Sequence, residues 1–231
     1  MLSLFVVVLI SYLIGAIPSS LWTGKIFYKI DIREHGSGNA GATNTFRILG
    51  WKAGTLVLLF DFGKGLLCTT VISQLAWNIG SGPVSLYANW EVDSMLLIFA
   101  GVAAVIGHMF PVYAGFSGGK GAATACGMLY GIEPVSISIS LALFLIVMFT
   151  TRYVSLGSIA SAIIYPFSQL TMRYALEWDI DGSIILFSSA LAIGIVIKHS
   201  GNIKRLMQGT ENRVKSFKPS RGRIHEEKVP S

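Results

Sequence analysis

"LSLFVVVLISYLIGAIPSSLW" (residues 2–22) runs for 21 residues without one charged side chain. About 20 apolar residues in helical conformation are needed to cross a hydrocarbon layer ~30 Å thick. No Lys or Arg precedes Lys25, so the segment lacks the basic leader of a secretory signal and reads as a retained membrane helix. The rest of the chain agrees. Of 231 residues, 52% are hydrophobic and only 13% charged, against roughly 25% charged in ordinary soluble domains. Lipid is the expected solvent.

Apolar spans set against charged connections fall near 2–22, 53–77, 95–110, 133–151, 154–172 and 183–198, with a shorter helical piece at about 120–131. Such a piece is too short to cross alone and is expected to be a protein-buried helix or part of a re-entrant segment. The expected fold is an all-α integral membrane protein, a bundle of about seven transmembrane helices with one short or re-entrant.

Charge sets the expected orientation. Connection 23–52 carries Lys25, Lys29, Arg33, Arg47 and Lys52, and nine Lys or Arg follow from Lys198 onward. Connection 78–94 has no basic residue but holds Glu91 and Asp93, while 173–182 has one Arg against Glu177, Asp179 and Asp181. The positive-inside rule places 23–52 and the tail in the cytoplasm, the N-terminus outside and the C-terminus inside, which requires an odd number of crossings. Residues 1–213 are expected to form one helical membrane domain, and 214–231 a basic, flexible cytoplasmic tail. This asymmetry accounts for the net charge of +6 and pI near 9.4 without a nucleic-acid partner. Cys68 and Cys126 both lie in apolar segments and read as core residues.

The same topology brings four polar stretches to the cytoplasmic face. In "GSGNAGATNTFRILG" (36–50), Gly36, Gly38 and Gly41 permit tight backbone approach, so successive N–H groups can face one anion. Ser37, Asn39, Thr43 and Asn44 add hydroxyls and amides, and Arg47 adds a fork that matches phosphate oxygens. A flexible loop anchored by its Arg to headgroups is the ordinary alternative. In "GHMFPVYAGFSGGKGAAT" (107–124), Gly118, Gly119 and Gly121 surround Lys120 ahead of the short helix, where N–H groups, helix dipole and ammonium can converge on an anion. It is not a nucleotide-binding P-loop, because Lys120 is followed by Gly121; a snorkelling interfacial lysine is the alternative.

"RYVSLGS" (152–158) offers Ser155 and Ser158 at a helix entry, where serines commonly serve as caps or packing residues. In "KHSGNIKRLMQGTENR" (198–213), His199, Asn202 and Arg205 recur at three-residue intervals on one helix face, with Glu211 beyond. Inside the membrane, "DFGKG" puts Asp61 and Lys64 at i, i+3, which reads as a structural ion pair facing the bundle.

In order and wording, "SGNAGATNTFR", "GHMFPVYAGFSGGKGAAT", "YVSLGSI" and "KHSGNIKRLMQGTEN" closely resemble the motifs of the bacterial acyl-phosphate-dependent glycerol-3-phosphate acyltransferases, the PlsY family. The likeness covers nearly the whole chain. Two departures are Ala40, where proline stands in many relatives, and "AAT" at 122–124 where "VAT" is usual. The resemblance implies an enzyme of the bacterial cytoplasmic (inner) membrane, active site facing the cytoplasm, that moves a fatty acyl group from acyl phosphate to the 1-position of sn-glycerol 3-phosphate. Its products would be lysophosphatidic acid and inorganic phosphate, the first step of phospholipid synthesis, and an acyl-phosphate-forming enzyme would act upstream.

It further implies that Arg47, Lys120 and His199 are catalytic. Ser37, Gly38, Asn39, Thr43, Asn44, Gly118, Gly119, Gly121, Ser155 or Ser158, and Asn202 would line or shape the pocket. No metal or cofactor is implied. A CoA-dependent acyltransferase with His followed five positions later by Asp is disfavoured, since Ala40, Tyr113, Lys204 and Pro230 occupy those places. A phosphometabolite transporter is the rival class, but no internal repeat is evident and the polar stretches share one side.

Overall fold

The computed structural model describes residues 1–80, 82–84, 90–213 and 222; the expected tail, 214–231, lies outside them except for Gly222. Every regular element among the described residues is helical. Helix α1 (Leu2–Gly15) ends just before Pro18, which cannot donate to the carbonyl four residues earlier. The chain resumes as α2 (Ser19–Thr23) and a π-helical turn (Gly24–Tyr28) that Lys29 closes in the left-handed region at φ 59°. α3 is Ala42–Leu49. α4 (Trp51–Leu67) continues through a π turn (Cys68–Ile72) and a 3-10 stretch (Ser73–Asn78).

Beyond these lie α5 (Val92–Met109), α6 (Ala122–Ile132) and α7 (Pro134–Thr151), then α8 (Val154–Ala175), α9 (Gly182–Lys198) and α10 (Ser200–Met207). Glu133 caps α7 by accepting from Val135 N–H at 3.2 Å and Ser136 N–H at 2.5 Å, ahead of Pro134 at the first helical position.

All seven expected apolar segments are helical, yet they differ in their fitness to cross a bilayer. Leu2–Tyr28, Trp51–Asn78, Val92–Ala114 and Pro134–Thr151 are long and apolar enough, and a fifth qualifies if α9 and α10, bent by 55°, count as one span. α8 is 22 residues long but is diluted by Ser155, Ser158, Ser161, Ser168, Gln169 and Arg173. α6 has 11 residues.

The chain forms two compact units. The first comprises Met1–Ser85 and Leu96–Ile132, the second Leu86–Met95 and Glu133–Phe217. In the first, α1 meets α5 backbone to backbone: a Cβ on Gly15 would overlap the Ala104 carbonyl, and one on Gly107 the Tyr12 carbonyl. α4 and α6 make a second such seam, Gly65 against the Thr124 carbonyl and Gly127 against that of Phe62. Small residues let helices approach this closely where lipid supplies no hydrophobic drive for association. A separate small core of Ile32, Ala40, Ile48, Leu49 and Ala53 underlies the first polar stretch. In the second unit α8 packs against both α7 and α9, and α10 rests on α8 and α9. Large apolar side chains such as Phe5, Leu59, Phe60, Ile146, Phe149 and Ile197 face outward, as lipid-facing residues do.

Candidate active site

In the first unit, Asp31 starts the turn Ile32–Glu34 by accepting from Arg33 N–H at 3.0 Å, and the Arg33 guanidinium closes on the same carboxylate at 3.0 and 2.8 Å. The Arg33 hydrogen bond, above all, holds Asp31 down at a pKa of about 2. Arg33 also donates to the Ala114 carbonyl at 3.1 Å, tying this turn to the segment after α5. Gly36 and Gly38 follow in the left-handed region, at φ 65° and 70°. Asn44, 1% exposed, shapes the loop from inside: its Oδ1 accepts from Ser37 N–H at 3.0 Å, and its Nδ2 donates to the carbonyls of Ile32 (3.1 Å) and His35 (2.9 Å).

The stretch expected as one glycine-rich loop is half helix. From Ala42 onward it is α3, so Thr43, Asn44 and Arg47 stand on a helix, while Ser37, Gly38 and Asn39 stand on the loop before it. The reason lies in alternation of surroundings: Ile48 and Leu49 enter the small core with Asn44 and Thr45 buried beside them, whereas Thr43 and Arg47 are exposed on the other face.

The second glycine turn, Gly118–Gly121, folds back on the end of α5. Gly119 N–H donates to the His108 carbonyl at 3.2 Å. A Cβ on Gly118 would overlap that same carbonyl; one on Gly119 would overlap His108 Nε2 and come within 2.8 Å of the Ala40 carbonyl. Only glycine fits here. Gly119 is also where the two polar loops meet, since its Cα lies 4.0 Å from the position a Cβ on Gly41 would take. Gly121 adopts φ 78° as the chain turns into α6. Lys120 and Arg47 are both exposed, and among the described residues neither is paired with a carboxylate.

Beneath this turn lies a buried charge cluster. Asp61 (1% exposed) and Lys64 pair at 2.9 Å, as the i, i+3 spacing suggested. Ser19 donates to the same Asp61 oxygen at 2.6 Å, His108 Nδ1 stands 3.4 Å from it, and Lys64 also donates to the Ile17 carbonyl at 3.1 Å. Ser19 and His108 were not legible as partners, being 42 and 47 positions from Asp61.

In the second unit, Glu211 gathers three side chains: Ser155 Oγ donates to it at 2.9 Å, Asn202 Nδ2 at 2.8 Å and Arg205 Nε at 2.7 Å. These bonds, Asn202's foremost, hold the Glu211 carboxyl below its ordinary range. Ser155 is thus the serine that joins Asn202, whereas Ser158 donates to the Val154 carbonyl of its own helix at 3.0 Å. His199 sits at the bend between α9 and α10 with Nδ1 2.8 Å from the Ile195 carbonyl. A carbonyl only accepts, so Nδ1 carries the hydrogen of that bond and the neutral ring's Nε2 keeps a lone pair. Arg213 donates to the Tyr153 hydroxyl at 2.8 Å with its guanidinium 4.8 Å from that ring.

Comparison with known proteins places these features in a family. The family model described as glycerol-3-phosphate acyltransferase matches residues 5–209. A glycerol-3-phosphate acyltransferase of Salinibacter ruber (strain DSM 13855 / M31) is 45% identical over 226 residues, covering 97% of this chain and 98% of its own length. That of Chlorobaculum tepidum is 43% identical over 230 residues, with 93% and 97% covered. Two crystal structures of PlsY (YgiH), an integral membrane glycerol 3-phosphate acyltransferase, superpose at 33% identity. The glycerol 3-phosphate form gives a TM-score of 0.65 over 93% of this chain and 96% of that one, and the lysophosphatidic acid form 0.67 over 92% and 95%. The chain therefore belongs to the glycerol-3-phosphate acyltransferase family, of the PlsY type.

Proposed function

We propose that the protein transfers a fatty acyl group from acyl phosphate to the 1-hydroxyl of sn-glycerol 3-phosphate, giving lysophosphatidic acid and inorganic phosphate at the cytoplasmic face of a bacterial cytoplasmic membrane. The observation that carries this reading is the meeting, at Gly41 and Gly119, of the loop that leads into α3 with the glycine turn that carries Lys120; Lys120, and Arg47 on α3, are both exposed and without a carboxylate partner among the described residues. Two phosphorylated reactants need such donors. The glycerol 3-phosphate and lysophosphatidic acid forms of the PlsY structures, an acyl acceptor and its acylated product, support the same substrate class.

An acyl phosphate is a mixed anhydride with a good leaving group, so direct attack by the glycerol hydroxyl needs positioning and charge neutralisation more than a protein nucleophile. Lys120, Arg47 and the turn N–H groups neutralise phosphoryl oxygens. Within the second unit, Ser155 and Asn202 are held by Glu211 and His199 Nε2 keeps a lone pair, and the family resemblance gives these residues a part in binding and orienting substrate. The ester C–O bond forms as the acyl C–O bond to phosphate breaks, and the hydroxyl proton ends on the departing phosphate as HPO4 2−. The acyl phosphate comes from an enzyme that makes it upstream. The orientation that serves this chemistry has the N-terminus outside and the C-terminus in the cytoplasm, with seven crossings when α6 and α8 are both counted.

The test is inorganic phosphate release from palmitoyl phosphate by the purified protein. Release that requires glycerol 3-phosphate and yields lysophosphatidic acid is expected; uptake of glycerol 3-phosphate into sealed vesicles without chemical conversion would replace this reading with transport.

A further inference from the structure

We propose that His108, oriented by Asp61, is a positioning residue that sets the glycine turn 118–121 for its phosphoryl ligand; this rests on the reading that the turn receives a phosphorylated substrate.

Asp61 is 1% exposed and His108 7%, so neither reaches a ligand directly. Lys64 at 2.9 Å already offsets the charge of Asp61. His108 Nδ1 approaches to 3.4 Å, from a different helix, the same oxygen that Lys64 and Ser19 already hold. What this contact adds is a fixed ring: a hydrogen bond at Nδ1 sets the plane of an imidazole and hence the place of its opposite edge. That edge, Nε2, is the atom against which Gly119 is packed too tightly for a methyl group.

The same residue holds the turn a second time, through its carbonyl and Gly119 N–H at 3.2 Å. On its far side Gly119 faces the Ala40 carbonyl, within 2.8 Å of where a Cβ would stand. The turn is thus wedged between the His108 ring and the first polar loop, and the residue next to the wedge is Lys120. A displaced ring would re-aim the Lys120 ammonium and the turn N–H groups together. The bound group is a phosphoryl oxyanion, borne by glycerol 3-phosphate or by acyl phosphate, and the kinetics decide which.

Glutamine places its amide nitrogen near the position of Nε2, and asparagine places its own near that of Nδ1. The full-length protein in lipid nanodiscs is assayed for phosphate release, each substrate being varied while the other saturates, with thermal unfolding checked for every variant. His108→Ala and His108→Asn, which vacate the contact with Gly119, should raise KM for one phosphoryl substrate about tenfold while kcat stays within about threefold, and His108→Gln should recover most of that loss. A rise confined to glycerol 3-phosphate assigns the turn to the monoester, and one confined to acyl phosphate assigns it to the donor. If His108→Ala does not fold, the Asn and Gln pair carries the comparison. Unchanged KM values for both substrates, or a fall in kcat with both KM values unchanged, would overturn the proposal. Wild-type protein that releases no phosphate would instead strike the acyl-transfer reading on which it rests.

Discussion

Lys64→Met tests whether the buried cluster under the glycine turn holds the first unit together. Removing one member of a buried ion pair leaves the other charge uncompensated, at a cost of about 3–5 kcal/mol. Asp61 would keep Ser19 at 2.6 Å and His108 at 3.4 Å, so the lower end, about 3 kcal/mol, applies. Lys64 also loses its bond to the Ile17 carbonyl at 3.1 Å, at the break that Pro18 makes after α1. At about 2–4 °C per kcal/mol for a chain of this size, Tm should fall by roughly 6–12 °C. Thermal unfolding in a mild detergent reads the loss. The double variant Asp61→Asn/Lys64→Met, which has no charge left to strand, should recover at least about half of it. A Tm shift under about 2 °C for Lys64→Met, or a double variant that melts lower than the single one, would refute the reasoning.

Lys120→Ala and Arg47→Ala should each abolish measurable phosphate release while leaving a folded protein by the same thermal assay; near-normal turnover in both removes the phosphate-cradle assignment. Ser155→Ala should lower kcat/KM about tenfold through loss of the Glu211 bond, whereas Ser158→Ala, which only frees a hydroxyl bonded to its own helix, should stay within about twofold. Equal losses would contradict the geometry. Asp31 has its pKa depressed from 3.8 to about 2, so its contribution to stability is complete above the ordinary carboxylate range and drains away as pH falls from 3.8 toward 2. Thermal melts of wild type and Asp31→Asn should therefore differ at pH 6 and converge as pH approaches 2, and a gap that persists unchanged would count against the Arg33 pairing.

What the sequence revealed and what it hid divide along a physical line. The apolar spans were legible because each is a local property of 20 or so residues, and the Asp61–Lys64 pair because i, i+3 spacing on a helix is local too. Lys120 between glycines announced itself in the same way. The partners drawn from afar were silent: Ser19 and His108 come to Asp61 from two other helices, α2 and α5, through packing that no local spacing records. In the sequence His108 has Tyr113, not Asp, five positions on, and nothing near it points to Asp61. The choice between Ser155 and Ser158 was equally closed, since it depends on where Glu211, more than 50 residues later, places its carboxylate. The glycines at 36, 38 and 41 make 36–47 read as a single loop, but burial of Ile48 and Leu49 in a small core draws residues from Ala42 onward into α3.

The brevity of α6 bears on the membrane itself. Eleven residues rise about 16 Å, roughly half the ~30 Å depth of a hydrocarbon layer. Its two ends cannot reach the two opposite faces of a flat bilayer. Unless α6 is wholly enclosed by protein or re-entrant, either the bilayer is pinched around it or the aqueous boundary dips to reach the turn that carries Lys120. On the function proposed above, a dipping boundary would let a water-borne phosphate ester meet Lys120 below the headgroup plane, sparing the greasy reactant an ascent into solvent.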